Sequence, residues 1–363
     1  MTEERASDAE KDSALNSPPI NTSPGPEYGP QSRKWQGIPG IERTHAGRLW
    51  AIWYSGGEGE GPDNYVLLVT SEDDGETWSK PELVIDPPGK VRAYDSMVWL
   101  DPLGRLWVFW AQSYEWFDGR CGVWAIHAEA PESRHPTWSE PRRLCNGIAL
   151  NKPTVLSAGE WLLPAAVWNS RAPRLPELEQ ERRSNAFCSK DQGQTWNLLG
   201  SADVPDRWFD EHMIVEKRDG ALWMLVRTRY GVGESFSRDR GRTWSPGRPS
   251  AIAGPNARFH IRRLRSGRLL LLNHFRFVGR SHMTALLSED DGRTWPHHLL
   301  LDERSSVSYP DAVEADDGRI FTIYDRERHG AREILLAVFR EEDVLAGRCV
   351  SDGARLKGVV SRA

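Results

Sequence analysis

The sequence predicts an all-β fold, a six-bladed β-propeller with four antiparallel strands in each blade. The first observation is an eight-residue pattern, S-x-D-x-G-x-T-W, which occurs at 71–78, 189–196, 237–244 and 288–295, with a degenerate copy at 136–141. The second is a glycine turn ahead of an apolar run, found at Gly47, Gly104, Gly159, Gly220, Gly267 and Gly318. Both repeats recur at steps of 47 to 61 residues, a spacing typical of propeller blades.

The apolar runs beside the glycine turns predict the strands. They are five to eight residues long and rich in Val, Ile, Leu and aromatic residues, as buried strands are. Gly and Pro interrupt these windows too often for helices. The propeller is expected to span residues 33–345, with residues from about Trp35 pairing with the last blade to close the ring. Residues 1–32 are acidic and rich in Ser and Pro, so we expect a disordered tail there, and a C-terminal extension at 346–363.

Composition excludes several classes of protein. The 47 Lys and Arg residues are outnumbered by 52 Asp and Glu, so no basic surplus is present to bind nucleic acid. No run of 18 apolar residues and no apolar leader is found, which predicts no membrane partner and a cytoplasmic location. The four cysteines have no C-x-x-C spacing, and no glycine-rich loop opens a helix. We therefore expect no metal and no cofactor, and the sequence leaves the oligomeric state open.

The eight-residue pattern has a mechanical explanation. Its Asp can accept backbone N–H bonds within the turn, its Gly can adopt positive φ, and its Trp can be buried, so the pattern staples the hairpin between the third and fourth strands. Adjacent carboxylates such as Asp73 and Asp74 could instead form a metal or acid–base site, but the structural interpretation is favoured. Because the glycine turns join the first and second strands, both repeats lie at one end of the propeller. We expect a pocket at the opposite end.

This pattern resembles the Asp-box, or BNR repeat, of the sialidase (neuraminidase) superfamily. The resemblance covers roughly residues 33–345 and rests on four clear copies of the box. It implies the six-bladed, sialidase-like propeller. It does not by itself fix an activity, because the same box occurs in glycosidases, lyases and sugar-binding propellers.

Register along the repeats indicates which side chains face the pocket. The residues nine positions before the glycine turns share one register and are expected at the mouth of the central channel: Ile38, Asp95, Leu150, Glu211, Arg258 and Tyr309. Residues that leave the second strands join them there, namely Glu58, Glu60, Asp63, Gln112, Asn169, Arg227, Arg229, His274, Arg276 and Arg328. Such a ring is either a functional pocket, which we favour, or a satisfied polar plug.

The resemblance assigns roles to three kinds of residue. The segment SVSYPDA is similar to the nucleophile segment of sialidases and implies Tyr309 as nucleophile, and FDEHMIVEKRDG implies Glu211 as the base that takes its proton. A neutral phenol suits an anomeric carbon that carries its own carboxylate, since the two do not repel. In the loop that follows the second strand of blade one, Asp63 is the best match to the family acid, with Glu60 as reserve. Asp95 is an independent candidate acid.

Sialidases bind the substrate carboxylate with three arginines, which can each grip it bidentately. The resemblance implies Arg227 or Arg229 for one and Arg280 for another. Where the family has its first arginine, this chain has Gly37, within WQGIP. Arg258 is the candidate substitute, and Lys152 is a further candidate for substrate binding. We therefore expect an exo-glycosidase for an acidic sugar, such as a 2-keto-3-deoxy sugar acid or a uronide as readily as sialic acid, with poor activity on a simple sialic acid aryl glycoside.

Two other functions remain open on the residues alone. A polysaccharide lyase could use His212 or His260 as base, with a tyrosine as acid and an arginine against a uronate. A non-catalytic propeller could bind sugars on Tyr54, Tyr114, Trp116 and Trp168.

Overall fold

The computed structural model describes residues 8–116, 120, 122–168 and 175–363, which form six antiparallel sheets. The predicted six-bladed β-propeller with four strands per blade is confirmed. The first strands of neighbouring blades contact one another around a central channel. Each glycine turn joins a first strand to a second, and each box joins a third strand to a fourth.

The blades follow one another along the chain. Blades one to three consist of Trp35–Arg43, Leu49–Gly56, Asn64–Ser71 and Leu83–Ile85; of Val91–Leu100, Leu106–Tyr114, Gly122–Ala128 and Arg142–Asn146; and of Thr154–Val155, Trp161–Ala166, Ser184–Ser189 and Asn197–Ala202. Blades four to six consist of Arg207–Glu216, Leu222–Thr228, Gly231–Ser237 and Arg248–Pro249; of His260–Arg263, Leu269–His274, Ser281–Ser288 and His297–Ser305; and of Val307–Glu314, Ile320–Arg326, Glu333–Phe339 and Arg355–Arg362.

The apolar core lies between blades. Strand residues alternate between the two faces of a sheet, and each blade has a neighbouring blade against each of its faces. Both faces are therefore buried, which explains why the strands are continuous apolar runs in the sequence. One cluster joins blades one and six through residues such as Trp53 and Phe321, and another joins blades five and six through residues such as Leu272 and Tyr324.

The N-terminal segment differs from the predicted tail. Residues 8–32 pack on blades one and two, and residues 1–7 lie outside the described part. The helix Asp8–Asp12 is followed by 3-10 turns at Ser13–Leu15, Pro26–Tyr28 and Pro30–Ser32. Ile20–Asn21 adds a fifth strand to blade one, and Gln112 Nε2 donates to the Ala14 carbonyl at 2.8 Å. Composition predicted disorder because it cannot show such anchors, which offset the entropy of ordering a polar segment.

The C-terminal boundary and the ring closure also differ from the prediction. Arg355–Arg362 is the fourth strand of blade six, so the propeller extends past residue 345, and the helix Glu341–Ala346 lies within the connection to that strand. Trp35–Arg43 pairs with the second strand of its own blade and not with the last blade. Hydrogen bonds that involve side chains connect blades one and six instead. Ile38 N donates to Asp325 Oδ2 at 2.8 Å, and Gln36 Nε2 donates to the Arg332 carbonyl at 2.6 Å.

The boxes have the geometry that their sequence predicts. In the first, Ser71 Oγ donates to Asp73 Oδ1 at 2.7 Å, and Thr77 donates from N and Oγ1 to the same carboxylate at 2.9 and 2.6 Å. These bonds, chiefly the Thr77 hydroxyl, lower the pKa of Asp73 to about 2. Asp191, Asp239 and Asp290 make the same bonds to their own threonines. The box carboxylates are therefore occupied within their turns.

The described residues contain only short helices besides the strands. One further 3-10 helix, Pro176–Glu181, precedes the third strand of blade three. None of the helices in the described ranges has the length and apolarity needed to cross a bilayer.

Candidate active site

Local backbone distortion brings the site residues to the channel mouth. The first strands of blades one, two, four and six each carry a shift of register, or β-bulge, at the same place. The residues at these bulges have left-handed backbone, with φ of 60° at Ile38, 45° at Asp95, 41° at Glu211 and 55° at Tyr309. Such conformations cost energy in non-glycine residues and are concentrated at functional sites. All four are positions nine residues before a glycine turn.

Tyr309, Glu211 and Arg227 form one buried hydrogen-bonded group. Tyr309 Oη donates to Glu211 Oε1 at 2.7 Å, although the two residues are 98 positions apart. Arg227 Nη1 donates to the same Glu211 oxygen at 2.6 Å and to Tyr309 Oη at 2.8 Å. Glu211 Oε2 is buried and has no hydrogen-bond partner within the described residues. Glu211 Oε1 is thus placed to accept the phenolic proton, while the Arg227 guanidinium lies against both Glu211 and Tyr309.

Burial raises the pKa of Tyr309 to about 12, with the Arg227 charge acting in the opposite direction. The phenol is therefore neutral at pH 7. Burial alone would lower the pKa of Arg227, but Glu211 and Tyr309 raise it above its usual range. A neutral phenol needs a base to become a nucleophile, and the adjoining Glu211 carboxylate can act as one.

Tyr309 and Glu211 face a cavity of about 50 Å³ that Asp95, Glu60 and Arg92 also line. Of the aromatic residues singled out for stacking, Tyr54, Trp116 and Trp168 border it, whereas Tyr114 does not.

Asp95 and Asp63, the alternative acids, lie in different surroundings. Asp95 is buried in the cavity wall, and burial raises the pKa of Asp95 to about 7, with the negative charges of Glu60 and Glu211 acting in the same direction. Asp63 is exposed on the loop and does not line this cavity, whereas the reserve candidate Glu60 does and accepts a bond from Tyr54 Oη at 3.0 Å. The structure thus brings Asp95 and Glu60, and not Asp63, to the cavity lined by Tyr309 and Glu211.

Three arginines surround the Tyr309 ring. Besides Arg227, the guanidinium carbon of Arg280 lies 5.4 Å from the ring centroid and that of Arg328 lies 4.1 Å from it. Arg280 and Arg328 also border a wider cleft of about 730 Å³ with Ser308. Arg229, the alternative to Arg227, lies over the Trp208 ring at 3.9 Å and is exposed.

Arg258, His260 and Lys152 lie elsewhere, deep in the channel. Arg258 Nε donates to Asn151 Oδ1 at 2.8 Å, and Arg258 Nη2 donates to the Leu150 carbonyl at 2.9 Å. Lys152 Nζ lies 3.2 Å from Glu42 Oε2 and 3.4 Å from Asp311 Oδ2, and His260 Nδ1 lies 3.1 Å from Asp311 Oδ1. We call this set the channel cluster: Arg258, His260, Lys152, Glu42 and Asp311.

The channel cluster borders a cavity that opens at the box end. This cavity is wider, about 500 Å³, but it lies away from Tyr309. Arg258 therefore does not substitute for the missing family arginine, because its guanidinium is held by backbone and side-chain acceptors inside the channel. Arg258 was placed in the ring at the channel mouth by its register, but its bonds are those of a satisfied polar group inside the channel.

His212 also lies outside the cavity. It is buried, its Nε2 lies 2.7 Å from the Asn185 carbonyl oxygen, and burial lowers its pKa. Neither His212 nor His260 is brought to Tyr309, so the bases that a lyase would need are absent from the described cavity lining. Asn169 lies outside the described residues. No group of three His, Cys, Asp or Glu side chains suited to a metal is found in the described ranges.

The sequence interpretation missed the roles of Arg92 and Asp325. Arg92 precedes the blade-two bulge and stacks on Tyr94 at 3.9 Å, which places its charge beside Asp95. Asp325 is buried and accepts bonds from Ile38 N, Ser308 Oγ and Arg328 Nε. The sequence signal for Asp325 was its position near the end of the second strand of blade six, three residues before Arg328.

Fold and site together define a six-bladed, sialidase-like propeller whose channel mouth holds a buried tyrosine–glutamate–arginine group. Residues 47–322 match the family described as the BNR repeat-like domain, and the chain belongs to that family.

Known proteins with the same architecture include sialidases. A sialidase of Bacteroides fragilis (strain YCH46) is 24% identical over 336 residues, which cover 79% of this chain and 59% of that protein. This chain thus spans about three fifths of the length of that relative. The Hadza microbial sialidase Hz136 superposes with a TM-score of 0.70 at 20% identity, covering 87% of this chain and 68% of that one.

An intramolecular trans-sialidase from Ruminococcus gnavus, solved with oseltamivir carboxylate, has a TM-score of 0.66 at 14% identity. It covers 87% of this chain and 96% of that one. At these identities the similarity of the structures establishes the fold.

Proposed function

We propose that the protein is a retaining exo-glycosidase that removes a terminal acidic sugar from a glycan. The observation that carries this proposal is the buried group in which Tyr309 Oη donates to Glu211 at 2.7 Å and accepts from Arg227 at 2.8 Å. A phenol paired with a base and a cation is arranged to become a nucleophile. The sialidase names of its relatives support the same class of reaction.

The first step forms a glycosyl-tyrosine intermediate. Tyr309 Oη attacks the anomeric carbon while its proton passes to Glu211 Oε1, and the bond from the anomeric carbon to the leaving oxygen breaks. Arg227 stabilises the negative charge that develops on the phenol oxygen. We assign the proton donated to the leaving oxygen to Asp95, because its pKa of about 7 leaves it protonated in slightly acidic solution.

The second step releases the sugar. Asp95, now a carboxylate, takes a proton from a water molecule as the water oxygen attacks the anomeric carbon. The bond to Tyr309 Oη breaks, and Glu211 returns its proton to the phenol. Two displacements at one carbon retain its configuration.

The Tyr309→Phe variant tests this proposal. Its turnover of glycosides of sialic acid, a 2-keto-3-deoxy sugar acid and glucuronic acid is expected to fall by about 10³-fold or more, since the nucleophile is lost. Tyr324→Phe is the matched control: Tyr324 is buried in the same blade and donates to Asp302 Oδ2 at 3.1 Å, away from the cavity.

Mass spectrometry identifies the released sugar, and nuclear magnetic resonance identifies the anomer formed first. Near-normal turnover by Tyr309→Phe, or an inverted first product, would rule the mechanism out. An unsaturated product absorbing in the ultraviolet would indicate a lyase instead.

A further inference from the structure

Two guanidiniums converge on one hydroxyl beside the candidate nucleophile. Arg328 Nη2 lies 3.4 Å from Ser308 Oγ, and Arg280 Nη1 lies 3.5 Å from the same oxygen. The hydroxyl carries no charge and so cannot neutralise them, and Ser308 Oγ itself donates to Asp325 Oδ1 at 3.1 Å. Two like charges so close together are stabilised when an anion binds between them.

The charges of the two arginines are unequally compensated. Arg328 Nε donates to Asp325 Oδ2 at 2.9 Å, and Arg328 Nη1 lies 3.7 Å from Glu60 Oε1. Arg280 donates to the Asn256 carbonyl at 3.1 Å, and no carboxylate within 4.0 Å pairs with it in the described part of the chain. Arg280 therefore keeps a positive charge that no neighbouring carboxylate of the described residues offsets.

The side chain of Arg328 occupies the space beside Gly37. A Cβ atom at position 37 would lie 2.7 Å from Arg328 Cδ and 2.8 Å from Arg328 Nε. Nonbonded carbon atoms approach to about 3.5 Å, so no larger residue fits at position 37 while Arg328 keeps its conformation. Gly37 of blade one places no side chain in this space, and Arg328 of blade six places its guanidinium there.

We propose that Arg328, from blade six, is a specificity-determining residue that supplies a carboxylate-binding guanidinium beside Arg280, and that Gly37 makes room for it. The ligand class is the carboxylate of an acidic sugar, and in that respect the inference rests on the proposed function. Asp325 orients Arg328 by accepting from its Nε, while Nη2 lies against the Ser308 hydroxyl and Nη1 lies 3.7 Å from Glu60 Oε1. A planar guanidinium held in this way can bind a carboxylate through two parallel bonds.

Binding of free sugar acids tests the site without relying on turnover. Calorimetric titrations use N-acetylneuraminic acid, 2-keto-3-deoxyoctonic acid and glucuronic acid, each beside its methyl ester. The wild-type protein is expected to prefer at least one acid over its ester. In Arg328→Ala that acid should bind about 10- to 100-fold more weakly while its ester is little affected, which is the loss expected for one charge-assisted contact.

Three further variants separate this role from a structural one. Arg328→Lys keeps a positive charge against Asp325 and is expected to fold normally but bind the acid more weakly, because an ammonium cannot bind bidentately. The double variant Gly37→Arg, Arg328→Ala should recover acid binding, because it returns a guanidinium to the emptied space from blade one. Arg293→Ala removes an exposed positive charge from a box at the opposite end and should bind as the wild type does.

The outcomes distinguish the two proposals. If Arg328→Ala and Arg328→Lys bind the acids as tightly as the wild type, the assignment of Arg328 is wrong, even if Tyr309→Phe has lost all turnover. If the wild type prefers an acid and Arg328→Ala loses that preference, the assignment stands, even if no glycoside is turned over and the proposed glycosidase activity fails.

Discussion

Two buried clusters of charged residues lie along the channel, and they differ in how their charges are partnered. In the channel cluster Lys152 lies within 3.4 Å of both Glu42 and Asp311. Lys152 and Arg262 also donate to the Ala312 carbonyl, at 3.2 and 3.1 Å. At the other end, Glu211 keeps one oxygen unpartnered among the described residues.

The local backbone differs in the same way. Glu211, Asp95 and Tyr309 lie at bulges with left-handed backbone, whereas the first strands of blades three and five pair without a register shift. Burial and charge alone therefore do not mark a site. Strained backbone separates the cluster around Tyr309 from the channel cluster, because buried polar atoms without a hydrogen-bond partner occur in both, at Glu211 Oε2 and at His260 Nε2.

The largest expected effect is on catalysis, from Glu211→Gln. The amide oxygen can still accept from Arg227, but it cannot take the phenolic proton, so kcat/KM should fall by about 10³-fold while the fold persists. Glu216→Gln, at the far end of the same strand, is the control, since Glu216 binds Ser157 there. Steady-state kinetics and thermal unfolding of both variants measure the difference. Equal losses in the two variants would contradict a catalytic role for Glu211.

The second effect is on stability, from Lys152→Met in the channel cluster. Removing this cation leaves Glu42 and Asp311 without their shared partner, so the free energy of unfolding should fall by about 3 kcal/mol. Activity per folded molecule should be retained. Urea unfolding and active-site titration check both parts. A variant that is stable but inactive would instead support the sequence-based expectation that Lys152 binds substrate.

The third effect is on pH dependence, from Asp95→Asn. If Asp95 is the acid, wild-type kcat/KM should fall as pH rises through about 7, and the variant should lose this limb together with about 10²-fold in rate. Asp63→Asn is the comparison on the exposed loop. A limb near pH 7 that persists in Asp95→Asn and disappears in Asp63→Asn would assign the acid to the loop.

The same titration affects stability with a defined sign. Because the pKa of Asp95 is raised in the folded protein, its contribution to stability is present at about pH 4 and is lost as pH rises through about 7. Asp95→Asn should therefore gain stability relative to the wild type at pH 8 and gain none at pH 4. Urea unfolding at both pH values measures the change.

The smallest effect is expected from Asp73→Asn in the first box. An amide keeps one acceptor oxygen but loses the charge that strengthens the bonds from Thr77, so the midpoint of thermal unfolding should fall by about 2 °C. Kinetic constants should stay unchanged, because the box lies at the end opposite the cavity. A large loss of activity would show that the boxes reach the site.

Much of the architecture could be predicted from the sequence because it repeats. The glycine turns give the register in which Asp95, Glu211 and Tyr309 share one position. The same register also included Leu150 and Arg258, which point elsewhere because the first strands of blades three and five begin later, at Thr154 and His260.

The arginines were harder to predict because their positions depend on contacts across the ring. That Arg328 fills the space beside Gly37 follows from the packing of blade six against blade one, nearly 300 residues apart along the chain. The order of the N-terminal segment depends in the same way on anchors such as Gln112, which composition cannot reveal.

The ring of blades can open most readily between blade one and blade six. No strand is exchanged across it, so it is closed by packing and by hydrogen bonds such as those from Ile38 and Gln36. The carboxylate of Asp325 that accepts from Ile38 also holds Arg328 on blade six. Transient separation of the two blades would break the Ile38 bond and remove the blade-one backbone at Gly37 beside which Arg328 lies. Binding an anion at Arg328 should then slow hydrogen exchange of the Ile38 amide, because occupancy and ring closure are thermodynamically linked.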